Sequence, residues 1–197
     1  MKKKITLLIV PVILAALLYV AGWGAYRAMS LRQQRVDARW ANVETQHQRR
    51  VGLIPNLVLA VEERAIRERA VLDSVMEIRG RAAQIQLRVD AFVPDAVQQY
   101  SAVQGELSVA LHRLAQVSGA YPGLVSDPVF RDLQVQLEDA ENRIWTERRR
   151  FNEIAQIYND FTQQFPQVIW AKVLGFKPAA CFPMEEMPGR VPPAAEE

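Results

Sequence analysis

The stretch DPVFRDLQVQLEDAENRIWTERRRFNEIAQIYNDFTQQF, residues 127–165, decides the fold class. Its apolar residues recur every seven positions, and a second set follows three positions later, interrupted only at Glu147. The first set is Phe130, Leu137, Ile144, Phe151, Tyr158 and Phe165, and the second is Leu133, Ala140, Ile154 and Phe161. This pattern predicts a helix of roughly 58 Å that packs knobs-into-holes in a left-handed bundle or coiled coil. Asp127 and Pro128 suit its N-cap and first turn, and Pro166 is expected to break or kink it.

Apolar residues upstream recur at intervals of three and four and never in sustained alternation, which indicates helices and no strands. A first helix is predicted to continue out of an N-terminal apolar segment to about Val51. A second is predicted from about Asn56 to Asp90, and a third from Pro94 to about Val117, followed by a loop over residues 118–123. We therefore predict an all-α protein whose residues 28–176 form an antiparallel four-helix bundle with long helices.

The segment from Gly52 to Pro55 allows two interpretations. Glycine suits the position just after a helix end and proline suits the first turn of the next helix, so the segment can be a tight connection. The apolar stripe through Trp40, Val43 and Ile54 keeps nearly the same phase across the proline, so one kinked helix is the alternative to this connection. The sequence leaves turn and kink open.

The run from Ile5 to Ala25 is apolar apart from Thr6, and about 20 such residues span a hydrocarbon core of about 30 Å. A cleaved signal peptide is the competing interpretation. The length of the run and the lack of a clean cleavage site near Ala21–Ala28 favour a permanent anchor over residues 1–27. We expect contact with the lipid bilayer through Ile5 to Ala25.

The orientation of the anchor is nearly balanced by charge. Lys2, Lys3 and Lys4 with the N-terminal amine lie on one side, and Arg27, Arg32, Arg35 and Arg39 lie on the other. Lysines directly beside the apolar edge slightly favour an inside N-terminus. The domain is therefore predicted on the exported, periplasmic side of a bacterial inner membrane.

Charge and composition exclude several function classes. The net charge is +2, and without the three N-terminal lysines it is 2 − 3 = −1, so no basic surface favours nucleic-acid binding. The lone Cys181 rules out an intrachain disulfide and a cysteine-based zinc site. Glu44 and His47 have the Glu-x-x-His spacing of di-iron bundles, but no second copy accompanies them, so no metal or other cofactor is expected.

A set of polar and aromatic positions forms our candidate structural or interaction residues. Asparagines and an arginine on or beside the apolar stripes could form a buried network that fixes helix register, or could simply face solvent. The full candidate set is Trp40, Arg50, Pro55, Asn56, Asn142, Asn152, Asn159, Phe165 and Pro166. Beyond Lys177 the chain is rich in proline, and residues 177–197 are predicted to be a mostly disordered tail.

Several of these residues carry a resemblance to a known family. The sequences WANV (40–43) and QRRVGLIPNLV (48–58) resemble the signature of the LemA family of bacterial membrane proteins. Further segments of this chain are similar to the second half of that family's sequences and occur in the same order. They are YPGL (121–124), LEDAENRI (137–144), RRFN (149–152), YN (158–159), FP (165–166) and LGFK (174–177). The chain departs from the family pattern at Gly52, where an acidic residue is more common, and in its proline-rich end.

The resemblance implies a membrane-anchored antiparallel helical bundle with no catalytic residues to carry over. Because the sequence also shows no catalytic or metal-binding motif, the resemblance predicts a non-enzymatic scaffold or adaptor. Such a protein self-associates or binds a protein partner, and no small-molecule substrate is expected. The alternative is a membrane-tethered sensory or ligand-binding four-helix module.

Overall fold

The computed structural model describes residues 2–62, 69–85 and 94–183, and within these ranges it contains only α-helices as regular secondary structure. The helices are α1 (Lys2–Glu62), α2 (Arg69–Gln84), α3 (Pro94–Ser118), α4 (Pro122–Val125), α5 (Pro128–Gln163) and α6 (Gln167–Leu174). The all-α class is confirmed. The described segment before residue 63 contains one helix long and apolar enough to cross a membrane, and its side chains from Pro11 to Val20 are all exposed.

Neighbouring long helices run antiparallel. Arg50 of α1 contacts Glu141 of α5, whereas Arg32, earlier in α1, lies over the later residue Phe161. In the α2–α3 pair, Nη2 of Arg81 on α2 donates a hydrogen bond to Oε2 of Glu106 on α3 at 2.7 Å. Ser74 and Arg113 line one groove further along the same pair. Arg79 of α2 bonds Val51 of α1, and the later residue Ala83 lines a cleft with the earlier residue Glu44, so this pair is antiparallel too. The order α1, α2, α3, α5 is therefore up-down-up-down, as predicted for an antiparallel four-helix bundle.

Helix α1 does not end at Val51, so the predicted connection at Gly52–Pro55 is wrong, and the alternative of one helix through the proline is correct. A proline has no N–H to donate to the carbonyl four residues earlier, which here is that of Val51. The Nε of Arg79 on α2 donates to the Val51 oxygen at 3.2 Å. The carbonyl that Pro55 leaves free is thus satisfied from the neighbouring helix.

Other predicted boundaries need smaller corrections. Residues 56–62 belong to α1, and α2 ends at Gln84; the predicted end at Asp90 lies outside the described residues. The predicted loop 118–123 contains the start of the short helix α4. Asp127 caps α5 as predicted, with its Oδ1 accepting a hydrogen bond from the Val129 N–H at 2.8 Å.

The bundle has two buried apolar cores. The membrane-distal core is mainly aliphatic and consists of Val51, Ile54, Leu57, Val58, Val61, Leu72, Val75, Ala82, Leu107, Ala110, Leu114, Leu124, Phe130, Leu133 and Leu137. The membrane-proximal core lies nearer the N-terminal apolar end of α1 and consists of Val36, Trp40, Val43, Val97, Tyr100, Phe151, Ala155, Tyr158, Ala179 and Phe182. Two of its residues, Ala179 and Phe182, come from the non-helical segment after α6.

Candidate functional site

A buried cation lies between the two cores. Arg50 of α1 is only 1% exposed. Its Nη1 donates to Glu141 Oε1 of α5 at 2.5 Å and to Ser108 Oγ of α3 at 2.8 Å. Its Nη2 donates to Gln104, at 2.5 Å to the side-chain oxygen and at 3.2 Å to the backbone oxygen. One guanidinium therefore joins three helices, and these bonds offset part of the cost of removing its charge from water, while its Nε has no hydrogen-bond partner among the described residues.

His47 lies one turn before Arg50 and is also buried. Its ring packs edge-on against Tyr100, with 5.4 Å between ring centroids. Burial, and then the nearby cations Arg50 and Arg148, hold the pKa of His47 well below its usual value, against the opposing effect of a hydrogen bond with Gln104. The imidazole is therefore neutral at pH 7, and its Nδ1 has no hydrogen-bond partner among the described residues.

Tyr100 has its pKa raised, first by burial and second by the carboxylate of Glu44, so its hydroxyl stays protonated. A cleft of about 280 Å³ opens beside these groups among α1, α2 and α3. The described residues that line it are Glu44, His47, Gln48, Val51, Gly52, Ala82, Ala83, Ile85, Tyr100 and Gln104. The arrangement offers one neutral ring nitrogen and amide groups, which can hydrogen-bond a small polar molecule.

The spacing of Glu44 and His47 does not form part of a metal site in the described ranges. No group of three or more histidine, cysteine, aspartate or glutamate side chains there could hold a metal ion.

The segment after α6 is held along α5 as an extended strap, which we define as residues 177–183. The side chain of Asn152 donates to the Phe182 carbonyl at 2.9 Å and accepts from the Phe182 N–H at 2.8 Å. Asn159, seven residues further along α5, makes the same pair of bonds with Ala179, both at 2.8 Å. The hydroxyl of Tyr158 donates to the Lys177 carbonyl at 2.9 Å.

The strap inserts Phe182 into the proximal core. Its ring stacks on Trp40 with 5.7 Å between centroids and meets Phe151 edge-on at 5.3 Å. The guanidinium of Arg148 lies 4.9 Å above the same ring, and its Nη2 donates to the Pro183 carbonyl. The predicted start of the tail at Lys177 is therefore wrong for residues 177–183, because aromatic packing and paired amide bonds hold them; residues 184–197 lie outside the described residues.

The structure separates the other candidate residues. Asn56 and Asn142 are exposed, so they do not belong to a buried network. Pro55 lies inside α1 and is half-buried. Phe165 is 81% exposed in the turn before Pro166, which is the N-cap of α6, so the predicted helix break at this proline is confirmed.

Sequence reasoning missed four partners: Gln104, Ser108, Glu141 and Phe182. Gln104 carried a usable signal, because it lies four residues after Tyr100 and three before Leu107 on the apolar stripe of α3. A polar residue on such a stripe suggests a buried partner. Phe182 carried none, since no helical period extends to it.

Comparison with known proteins gives two matches. The model of the LemA family matches residues 39–195. The magnetosome protein MamQ of Magnetospirillum gryphiswaldense is 25% identical over 169 aligned residues, covering 77% of this chain. The match spans 62% of that relative's length.

Proposed function

The chain belongs to the LemA family, and we propose that it is a non-enzymatic scaffold or adaptor that holds a rigid helical platform at a membrane. The platform binds a protein partner or a second copy of the chain.

The observation that carries this proposal is the continuity of α1. The same helix that exposes apolar side chains from Pro11 to Val20 has Met29 fully buried and then contributes Trp40 and Arg50 to the bundle interior. A flexible tether would need a glycine- and serine-rich or unstructured linker between anchor and domain. A helix that serves as both anchor and bundle strut instead fixes the distance and orientation of the bundle relative to the bilayer.

Two measurements on the full-length, detergent-solubilised chain test this proposal. We expect mass-resolved light scattering to give a particle larger than one chain, or a photo-crosslinking residue at the exposed Val129 or Val135 to capture a defined partner in cells. A crosslinker at buried Leu137 is the matched control, and it should capture nothing. A monomeric particle with no crosslinked partner would contradict the proposal.

The proposed location is a bacterial inner membrane with the bundle on the exported side, supported by the lysines beside the apolar run and by the bacterial relative. Cys181 is exposed and is the sole cysteine of the chain, so it is a natural probe. A membrane-impermeant maleimide should label it in spheroplasts; labelling only after lysis would place the bundle in the cytoplasm.

The cleft beside His47 favours a second candidate function, a ligand-binding module. Its test is thermal stabilisation of the full chain by a small-molecule library, followed by the variant Gly52→Leu. An added Cβ at Gly52 meets no atom within 4 Å, so the leucine would extend into open space beside the cleft. A compound that stabilises the parent but not the variant would support this function, and uniformly flat melting curves would count against it.

A further inference from the structure

Helix α6 folds back onto the membrane end of α1. The ring of Trp170 lies so close to Gly22 that a Cβ built at Gly22 would be 2.7 Å from a ring carbon. One turn along α1, the rings of Tyr26 and Phe176 have centroids 5.9 Å apart. A larger residue at position 22 would force the Trp170 ring to shift, so Gly22 permits this close contact of α6 with α1.

This contact fixes the position of α6 along α1, relative to the end of the apolar run that is expected to cross the membrane. Side chains of α1 from Pro11 to Val20 are exposed, and coverage of α1 begins at Gly22. Gly22 is three residues before the end of the apolar run at Ala25, which is about 4.5 Å along a helix. Trp23 and Tyr26 are exposed at the same level, as interfacial aromatic residues are. If α1 spans a bilayer, α6 lies at the boundary between hydrocarbon and headgroups.

The face of α6 turned away from the bundle is apolar. Ile169 is 53% exposed and Val173, one turn later, is 71% exposed. Leu174 is 40% exposed, and Phe165, just before the helix, is 81% exposed. Such a stripe is unfavourable in water and suits a helix that lies in a membrane interface.

The charges around this stripe are positive. Lys172 and Lys177 are exposed, and no aspartate or glutamate occurs from residue 161 to 183. Arg27 lies on α1 just beyond the apolar run. Cations beside an exposed apolar face match the phosphates and anionic headgroups of a bilayer surface.

We propose that Phe165 and α6 form a second membrane contact, an interfacial helix that inserts Phe165, Ile169 and Val173 into the same bilayer that α1 crosses. The occupant of this face is phospholipid. Two contacts at different places prevent the bundle from rotating about α1. This inference goes beyond the scaffold function and does not depend on which partner the bundle binds.

Spin-label accessibility in vesicles tests this contact. The full chain carrying Cys181→Ser would receive a single cysteine at Ile169 or Val173 and be reconstituted in vesicles of phosphatidylcholine and phosphatidylglycerol. Controls are Val109→Cys, 70% exposed on the distal part of α3, and Leu17→Cys, exposed on the anchor. We expect the ratio of oxygen to nickel-chelate collisions at residues 169 and 173 to be several times that at 109 and to approach that at 17.

The controls separate the possible failures. A lipid-like ratio at residue 17 with a water-like ratio at 169 and 173 overturns the contact while leaving the anchor intact. A water-like ratio at residue 17 as well overturns both. Low access to both reagents at 169, with dipolar broadening between labels, means that a second copy covers the face and also overturns the proposal. If a labelled α6 variant does not fold, Phe165→Cys reports on the same face outside the helix.

Discussion

The distal and proximal cores are closed in different ways. In the distal core, every buried residue within the described ranges lies in a helix, and most of these residues are aliphatic. The proximal core contains Trp40, Tyr100, Phe151 and Tyr158, and it is completed by Ala179 and Phe182 from the non-helical strap. Helical stripes alone suffice where the side chains are small and regular. Where large rings meet, the bundle uses an extra segment to fill the space between helices.

The strap also shows how an extended backbone is accommodated beside a helix. Buried peptide groups need hydrogen-bond partners, and an extended segment beside a helix has no neighbouring strand to supply them. Asn152 and Asn159 each present one donor and one acceptor, which matches the N–H and C=O of a single strap residue. Two side-chain amides thus make the hydrogen bonds that a neighbouring strand would otherwise make.

The largest expected effect is in the distal core. Phe130 is 1% exposed, and Phe130→Ala leaves a cavity in a core whose described buried residues all lie in helices. We expect the free energy of unfolding to fall by about 3–5 kcal/mol. Denaturant unfolding of the full chain in detergent measures this loss. Val129→Ala, at a neighbour that is 61% exposed, is the control; equal losses for the two variants would mean that burial of the Phe130 ring in the distal core does not stabilise the fold.

Substitution of Arg50, at the boundary between the two cores, should cause the next largest loss of unfolding free energy. Arg50→Ala leaves the carboxylate of Glu141 and the amide of Gln104 without their cation, and we expect a loss of about 3 kcal/mol. Arg49 is exposed on the same turn, so Arg49→Ala should change the stability by less than about 0.5 kcal/mol in the same unfolding experiment. A comparable loss from both would show that the buried bonds of Arg50 contribute nothing specific.

Local patterns in the sequence predict part of this fold, whereas contacts between distant helices decide the rest. The heptads of α5 and its cap at Asp127 are local patterns, and both were predicted. The continuity of α1 was not, because Gly52 and Pro55 are compatible with a turn or a helix. The decision depends on Arg79 of α2, which donates to the carbonyl of Val51 across the bundle.

The residues of the candidate site also divide into those that the sequence predicts and those that it does not. Arg50, Asn152 and Asn159 were among the candidates because they lie near apolar stripes. Asn56 and Asn142 were included on the same grounds but are exposed, since helix phase alone does not resolve a residue at the edge of a stripe. Phe182 could not be found, because its partners lie on three different helices.

The strap provides a smaller and more local test. In Asn152→Asp the carboxylate can still accept from the Phe182 N–H, but it cannot donate to the Phe182 carbonyl and repels it. We expect opening of the strap to become easier by about 1.5 kcal/mol, with roughly tenfold faster amide exchange at Phe182. Hydrogen exchange followed by mass spectrometry measures this.

Asn142→Asp is the matched control for the strap, because Asn142 is exposed on the same helix. It should leave exchange at Ala179 and Phe182 unchanged. If Asn152→Asp sped global unfolding, or changed exchange equally in the distal core, the strap would not be an independent part of the fold.

The smallest effect concerns His47, where the proximal core meets the Arg50 network. Its folded pKa is lowered, so the unfolded chain binds the proton more readily, and stability falls as pH drops below the ordinary value of 6.5. Between pH 7.5 and 5.5 the parent should lose about 1.4 kcal/mol more than His47→Gln, which has no titrating ring. Denaturant unfolding at the two pH values measures the difference, and His112→Gln, at an exposed histidine, should keep the parental pH dependence. Burial is the larger cause of the lowered pKa and repulsion by Arg50 and Arg148 the smaller one, so adding Arg50→Met to the parent should reduce this dependence only in part; loss of the whole dependence would mean that the cation, and not burial in the proximal core, keeps the ring neutral.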